Sequence, residues 1–174
     1  MGAAEPQQET AIVAFDGSPA ARRAVAEAGK VLSSCRILVV TVWEEGLAYA
    51  VSAGAPDPII MTPPVEPDVA LEVDREVHDE AERVSREGCE LARSHGLDAQ
   101  PLAVPAEGSV ARTIQELARD RRAAAIVVGS RGLGAIRSRL EGSTSKSLLR
   151  HAPCPVIVVH EDDESRSGGE LSEP

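Results

Sequence analysis

The sequence has few cysteines, no excess of basic residues and no long apolar run. Its three cysteines, Cys35, Cys89 and Cys154, form no CxxC or Cys/His ligand pattern, so we interpret them as buried thiols of a reducing compartment rather than as zinc ligands. The formal net charge is −10, which argues against binding nucleic acid or an anionic membrane surface through overall charge, although a local basic loop stays possible. No nucleic-acid or membrane partner is therefore predicted.

Targeting signals are also missing from the sequence. No segment reaches the length and apolarity of a transmembrane span. The first ten residues, MGAAEPQQET, contain neither the basic region nor the apolar core of a signal peptide, and Pro6 stands where N-myristoylation requires Ser or Thr. We therefore expect a cytoplasmic location. The length of 174 residues predicts one domain with a full core.

Short apolar runs alternate with segments of helical periodicity, which is typical of a parallel sheet covered by helices. Ser18, Ser109 and Ser143 are predicted N-caps of helices, and Gly96 a predicted C-cap. Five strands with four crossovers predict an α/β fold, an open doubly wound five-stranded parallel sheet with helices on both faces, Rossmann-like. The predicted strands span residues 11–15, 36–43, 99–104, 125–128 and 156–159, and the predicted helices start after Ser18 and Ser109, run from 68 to about 95, and run from Ser143 to 150.

The domain is predicted to cover residues 10–160. Residues 1–9 and the acidic tail 161–174, rich in Ser and Gly, are predicted to be disordered. The stretch 44–67 is rich in Pro, Gly and Ala and is too long for a simple connection. We interpret it as a functional loop or lid.

The stretch VVGSRGLGAIRSRLEGSTS, residues 127–145, combines glycines, hydroxyls and basic residues directly after a predicted strand. It lacks the lysine of a P-loop, because Ala135 stands in its place, and it lacks the third glycine of a dinucleotide fingerprint, where Arg137 stands. Its glycines, Gly129, Gly132 and Gly142 followed by Ser143, permit close approach of backbone amides to an anion. This spacing favours a phosphate site; a glycine loop with an ordinary serine cap is the alternative.

Three segments resemble the universal stress protein family, specifically its ATP-binding members: IVAFDGSPAARRAV, GSVARTIQELARD and IVVGSRGLGAIRSRLEGSTSKSLLRHAPCPVIVV. The resemblance implies the strand order 3-2-1-4-5 and ATP, with Mg²⁺, as the ligand. It also implies that Asp16 contacts the ribose, Val42 packs by the adenine, and Gly129, Gly132, Gly142 and Ser143 cradle the triphosphate. The full set of predicted nucleotide-binding residues is Ala14, Asp16, Ser18, Val42, Val128, Gly129, Ser130, Arg131, Gly132, Gly142, Ser143, Thr144 and Ser145.

The sequence departs from the family pattern at Ala14 and Val110, where proline is frequent, and in the 44–67 loop. None of these departures removes a phosphate-loop position. No base or nucleophile paired with an orienting group can be assigned from spacing, so we predict no catalytic residue, no metal-ligand set, and a stress-response or signalling module that depends on nucleotide occupancy. Slow hydrolysis or autophosphorylation stays open, as do an ATP-dependent transferase on this scaffold and a nucleotide-free partner-binding module.

The last predicted strand, Val156 to Val159, is wholly apolar and β-branched, which invites pairing with another chain. The resemblance implies antiparallel pairing of this strand with its copy, so a homodimer is predicted. The alternative is that the acidic tail folds back over the edge.

Overall fold

The computed structural model describes residues 8–45, 67–130 and 143–160, without the side chains of 67, 68, 70 and 143. Every predicted strand is present within one residue at each end. Most of the predicted disordered N-terminus 1–9 and of the predicted lid 44–67, and all of the predicted acidic tail 161–174, lie outside the described part. The elements are β1 (Thr10–Ala14), α1 (Pro19–Val31), β2 (Arg36–Trp43), α2 (Pro67–Ser94), β3 (Asp98–Pro105), α3 (Val110–Asp120), β4 (Ala125–Gly129), α4 (Ser143–His151) and β5 (Val156–Val159).

The five strands form one parallel sheet in the order β3-β2-β1-β4-β5. In the register, Ala14 pairs with Val40 of β2, and Val13 pairs with Val127 of β4. The predicted fold class and strand order are confirmed. The central strands are continuous apolar runs because helices cover both faces of the sheet.

Two hydrophobic cores lie on the two faces of the sheet, because successive side chains of a strand point to opposite faces. Helices α1 and α2 cover the first core, which contains Val13, Phe15, Val39 and Val127. Helices α3 and α4 cover the second, which contains Ile12, Val40, Ile126, Ile114 and Leu148. All nine of these residues are 0% exposed.

The helix ends follow the predicted capping residues. Ser18 accepts the Ala21 amide at 3.1 Å through its side chain, and Ser109 accepts the Arg112 amide at 3.3 Å. Gly96 has φ +79°, the left-handed conformation of a helix C-terminus. Ser143 was predicted to precede the last helix as its N-cap, but α4 begins at Ser143 itself. None of the described helices is long and apolar enough to cross a membrane.

The three cysteines are free thiols. Cys35 and Cys89 are buried, as predicted, whereas Cys154 is only partly buried, because it lies in the connection between α4 and the edge strand β5. Burial raises the pKa of the Cys89 and Cys154 thiols, so both stay protonated near neutral pH.

Gly88 allows α2 to pack closely on the aromatic ring at the end of β1. A Cβ at Gly88 would lie 2.6 Å from Phe15 Cδ1. We expect Gly88→Ala to lower the free energy of unfolding by about 1 to 2 kcal/mol, because the steric cost exceeds the gain in helix propensity. Denaturant unfolding measures this change. Gly29→Ala is the matched control, since the atoms nearest to its Cβ would be the His95 Cβ at 3.2 Å and the His95 carbonyl oxygen at 3.5 Å; equal stability of the two variants would contradict the packing argument.

Candidate functional site

The order of the strands reverses between β1 and β4, and this reversal opens a crevice at the carboxyl edge of the sheet. Strand β1 connects through α1 to β2 on one side and pairs with β4 on its other side. Helices α1 and α4 cover opposite faces of the sheet. Ligands of open α/β sheets bind at such a position.

The turn after β1 is held by hydrogen bonds between residues that are close in sequence. Asp16 Oδ1 accepts the Ser18 amide at 3.0 Å, and Gly17 has φ +77°. The Ser18 carbonyl accepts the Arg22 amide at 2.9 Å, which starts α1. The Asp16 carboxyl is therefore placed at the rim by a turn that its own side chain closes.

Gly129 explains why α1 begins so close to the end of β4. A Cβ at this position would lie 2.8 Å from the Ala20 carbonyl carbon and 2.9 Å from its oxygen. Only a residue without a side chain lets the first turn of α1 come this near. The next residue, Ser130, is buried and donates its amide to the Val159 carbonyl at 2.7 Å. The structure thus brings Asp16 and Gly129 to one rim.

Apolar side chains line the sheet just below this rim. Ala14, Val42 and Val128 all belong to the core on the α3 and α4 face, and they come from the carboxyl ends of the three central strands. Half-buried Val104 and Val110 pack against the same core. An apolar surface with a few polar groups beside it is typical of small-molecule binding sites.

The first turn of α4 carries hydroxyl side chains. Thr144 and Ser145, in its first turn, are both buried. Gln115 of α3 donates to the Ser147 carbonyl at 3.3 Å and so ties α4 to its neighbour. Among the predicted site residues, Arg131, Gly132 and Gly142 lie outside the described residues, and of Ser143 only the backbone is described.

Thr41 was not predicted as part of the site. It is buried in β2, and its Oγ1 donates to the Phe15 carbonyl at 2.8 Å. The one available signal was a polar residue inside the apolar run RILVVTVW. Trp43, two residues further along β2, contacts His78 of α2 with ring centroids 5.4 Å apart. Because α2 covers the first core, Trp43 lies on the opposite face of the sheet from Val42.

A carboxyl pair lies apart from the crevice, beside the start of α3. The pKa of Glu107 is raised, first by its hydrogen bond with Glu116, whereas the pKa of Glu116 is lowered, first by its hydrogen bond with Arg112. The Arg112 Nε to Glu116 Oε1 distance is 2.8 Å. Within residues 8–45, 67–130 and 143–160, no group of three or more His, Cys, Asp or Glu side chains is arranged to hold a metal ion.

Residues 9–160 match the model of the universal stress protein family. The chain is 34% identical over 153 residues to a universal stress protein of Thermus aquaticus, a match that covers 87% of this chain and 98% of the relative. It is 32% identical over 158 residues to a universal stress protein of Mycobacterium tuberculosis, which covers 87% of this chain and 48% of the relative. The chain thus spans nearly all of one relative and about half of the other.

Solved structures share the fold. A universal stress protein from Lactobacillus plantarum gives a TM-score of 0.65 at 20% identity, covering 89% of this chain and 99% of its own. A universal stress protein in complex with cAMP gives 0.57 at 24% identity, covering 88% and 97%. The protein from Archaeoglobus fulgidus in complex with dAMP gives 0.56 at 17% identity, covering 87% and 97%.

Proposed function

Since the chain belongs to the universal stress protein family, we propose that it binds ATP in the crevice between β1 and β4 and acts as a stress-response or signalling module whose state depends on occupancy. The observation that carries this proposal is the close packing of α1 on Gly129, which sets the Asp16 turn beside the end of β4. This packing places a carboxylate, a Gly-Ser strand end and an apolar wall at one rim.

The proposal assigns a role to each part of the rim. The Asp16 carboxylate accepts a hydrogen bond from a ribose hydroxyl, and the Ser18 hydroxyl lies in the same turn. Phosphates are held by amides and hydroxyls of the glycine loop and α4, with Mg²⁺ balancing part of their charge. The adenine packs against Ala14, Val42 and Val128, and the phosphate set comprises Gly129, Ser130, Arg131, Gly132, Gly142, Ser143, Thr144 and Ser145.

Fold neighbours in complex with cAMP and dAMP support an adenine nucleotide as the ligand. The triphosphate rests on the resemblance to the ATP-binding members of the family, whose triphosphate cradle Gly129, Gly132 and Gly142-Ser143 match. We propose a binding module rather than an enzyme, because the pattern supplies no base or nucleophile paired with an orienting group. Slow hydrolysis or autophosphorylation, a transferase and a nucleotide-free partner-binding module stay as alternatives.

Mass spectrometry of the nucleotide released from freshly purified protein tests the proposal. We expect adenine nucleotide at close to one equivalent per chain, with ATP the main species when purification is fast and cold. A nucleotide-free preparation that also gives no heat with Mg·ATP in calorimetry would contradict nucleotide binding. Rapid conversion of ATP to ADP, or transfer of its phosphoryl group to another molecule, would favour the enzymatic alternative.

The proposal includes a homodimer formed by antiparallel pairing of β5 with its copy. The carbonyls of Pro155 and Val159 accept amides of Ile126 and Ser130 from β4. In a parallel ladder the hydrogen-bonding groups alternate in direction along the strand, so those of Val156 and Val158 point away from the sheet. The outer edge of β5, on which none of the described strands pairs, can therefore pair with a second copy around a two-fold axis.

Val158→Pro should dissociate the dimer and leave the monomer folded, because it removes only an outward amide. Light scattering at micromolar concentration measures the mass. Ala103→Pro is the matched control: β3 is the other edge, and Pro101 already occupies the same alternation there. A parent that is monomeric both with and without the residues after His160 would contradict the dimer.

A cytoplasmic location, the last part of the proposal, rests on the three free cysteines.

A further inference from the structure

The Thr41 hydroxyl is a buried polar group in the middle of the sheet. Its residue is 6% exposed, and the neighbours of Thr41 in β2, Val40 and Val42, are buried apolar residues. A buried hydroxyl needs a hydrogen-bond partner. Thr41 Oγ1 has one in the Phe15 carbonyl oxygen, to which it donates at 2.8 Å.

Phe15 is the residue that leads from β1 into the Asp16 turn. Its amide donates to the Val40 carbonyl at 2.8 Å, so its nitrogen side is held by β2. Its carbonyl lies in the same planar peptide unit as the Asp16 amide. The hydrogen bond from Thr41 therefore sets the orientation of the peptide plane from which Asp16 starts.

The Asp16 side chain is held by a residue that follows it in the chain: its Oδ1 accepts the Ser18 amide at 3.0 Å. The backbone before Asp16 and the carboxyl itself are thus held by two different hydrogen bonds. Loss of the first bond would allow the Phe15–Asp16 peptide to rotate, because a buried carbonyl without a donor gains by turning toward another one.

We propose that Thr41 is a positioning residue for Asp16, and that through this carbonyl it determines how strongly the site prefers a ribonucleotide to the deoxy analogue that lacks the contacted hydroxyl. The proposal rests on the proposed ATP site. A positioning role differs from a structural one in its outcome. Loss of a structural hydrogen bond weakens all ligands alike, whereas displacement of Asp16 weakens only ligands that carry the hydroxyl.

Calorimetric dissociation constants for ATP, 2′-deoxy-ATP and 3′-deoxy-ATP test this proposal in the parent and three variants. We expect the parent to bind ATP roughly tenfold more tightly than one of the deoxy analogues, the ratio that a hydrogen bond to a carboxylate supplies. Thr41→Val keeps the side-chain volume but removes the donor, and it should reduce this ratio to within about twofold. Thr41→Ser keeps the donor and should keep the ratio.

Thr113→Val is the matched control. Thr113 is also buried, and its Oγ1 donates to the Ser109 carbonyl at 3.2 Å and accepts the Glu107 amide at 2.8 Å. Its loss should lower the melting temperature without changing the ratio. If Thr41→Val does not fold, Thr41→Ala takes its place, because alanine also lacks the donor and does not add the second γ-methyl group that valine has.

Three results would overturn the positioning role. The ratio could survive in Thr41→Val, which would make Thr41 a structural residue only. The parent could bind all three nucleotides equally, in which case Asp16 does not contact a ribose hydroxyl although the ATP site stands. The parent could bind none of them, and then the proposed function fails together with this inference.

Discussion

Gly129→Ala is expected to weaken ATP binding at least tenfold and to destabilise the protein by about 1 to 3 kcal/mol. The added Cβ would lie 2.8 Å from the Ala20 carbonyl carbon and 2.8 Å from the Ala20 Cβ. These atoms belong to the first turn of α1, whose backbone cannot rotate aside as a flexible side chain can. The helix start must therefore move away from β4, and the Asp16 turn, which directly precedes it, moves with it.

Calorimetry with Mg·ATP and thermal unfolding measure the two effects of Gly129→Ala. Gly29→Ala is again the control, because this glycine lies within α1 but far from the rim, and the atom nearest to its Cβ would be the His95 Cβ. That control should retain the parent's affinity and stability. A Gly129→Ala variant with the parent's affinity would show that the packing of α1 on β4 does not shape the binding site.

Asp16→Asn is expected to weaken ATP binding by about tenfold to a hundredfold while changing the free energy of unfolding by less than about 1 kcal/mol. Asparagine retains a side-chain oxygen that can accept the Ser18 amide, so the turn can persist. It loses the negative charge and replaces one carboxylate oxygen with a donor. The substitution therefore separates the role of Asp16 in the turn from its proposed role toward the ribose.

Asp98→Asn provides the same change of charge at the opposite edge of the sheet. Asp98 is exposed at the start of β3, where its Oδ2 lies 3.4 Å from Arg36 Nε. Calorimetric titration of both variants with ATP should show the loss of affinity only for Asp16→Asn. Equal affinities of the two variants would remove Asp16 from the site.

The fold could be predicted from the sequence because its signals are local. Strands that are covered on both faces appear as unbroken apolar runs, such as AIVAF before Asp16. Ser18 and Ser109 could be identified as caps because each bonds an amide only three residues away. The order of the strands is not local, and it was obtained from the resemblance to a family rather than from periodicity.

The details of the site were less predictable, because they depend on contacts between distant segments. Nothing near Thr41 in sequence indicates that its partner is the Phe15 carbonyl, 26 residues away. The sequence indicated that Gly129 permits a close approach of the backbone, but that Ala20 of α1 is the residue packed against it is known only from the structure. By contrast, the position of Trp43 on the face opposite to Val42 is a local feature, because successive side chains of a strand point to opposite faces of the sheet.

Nuclear magnetic resonance titration of backbone amides with Mg·ATP is the most direct test of ATP binding between β1 and β4. We predict saturable shifts at Asp16, Ser18, Ser130, Thr144 and Ser145, which come from the turn after β1, the end of β4 and the start of α4. Amides at the amino edge of the sheet, such as those of Arg36 and Asp98, should stay unchanged. Saturable shifts grouped away from the turn after β1, the end of β4 and the start of α4, or an unchanged spectrum at millimolar Mg·ATP, would contradict ATP binding in this crevice.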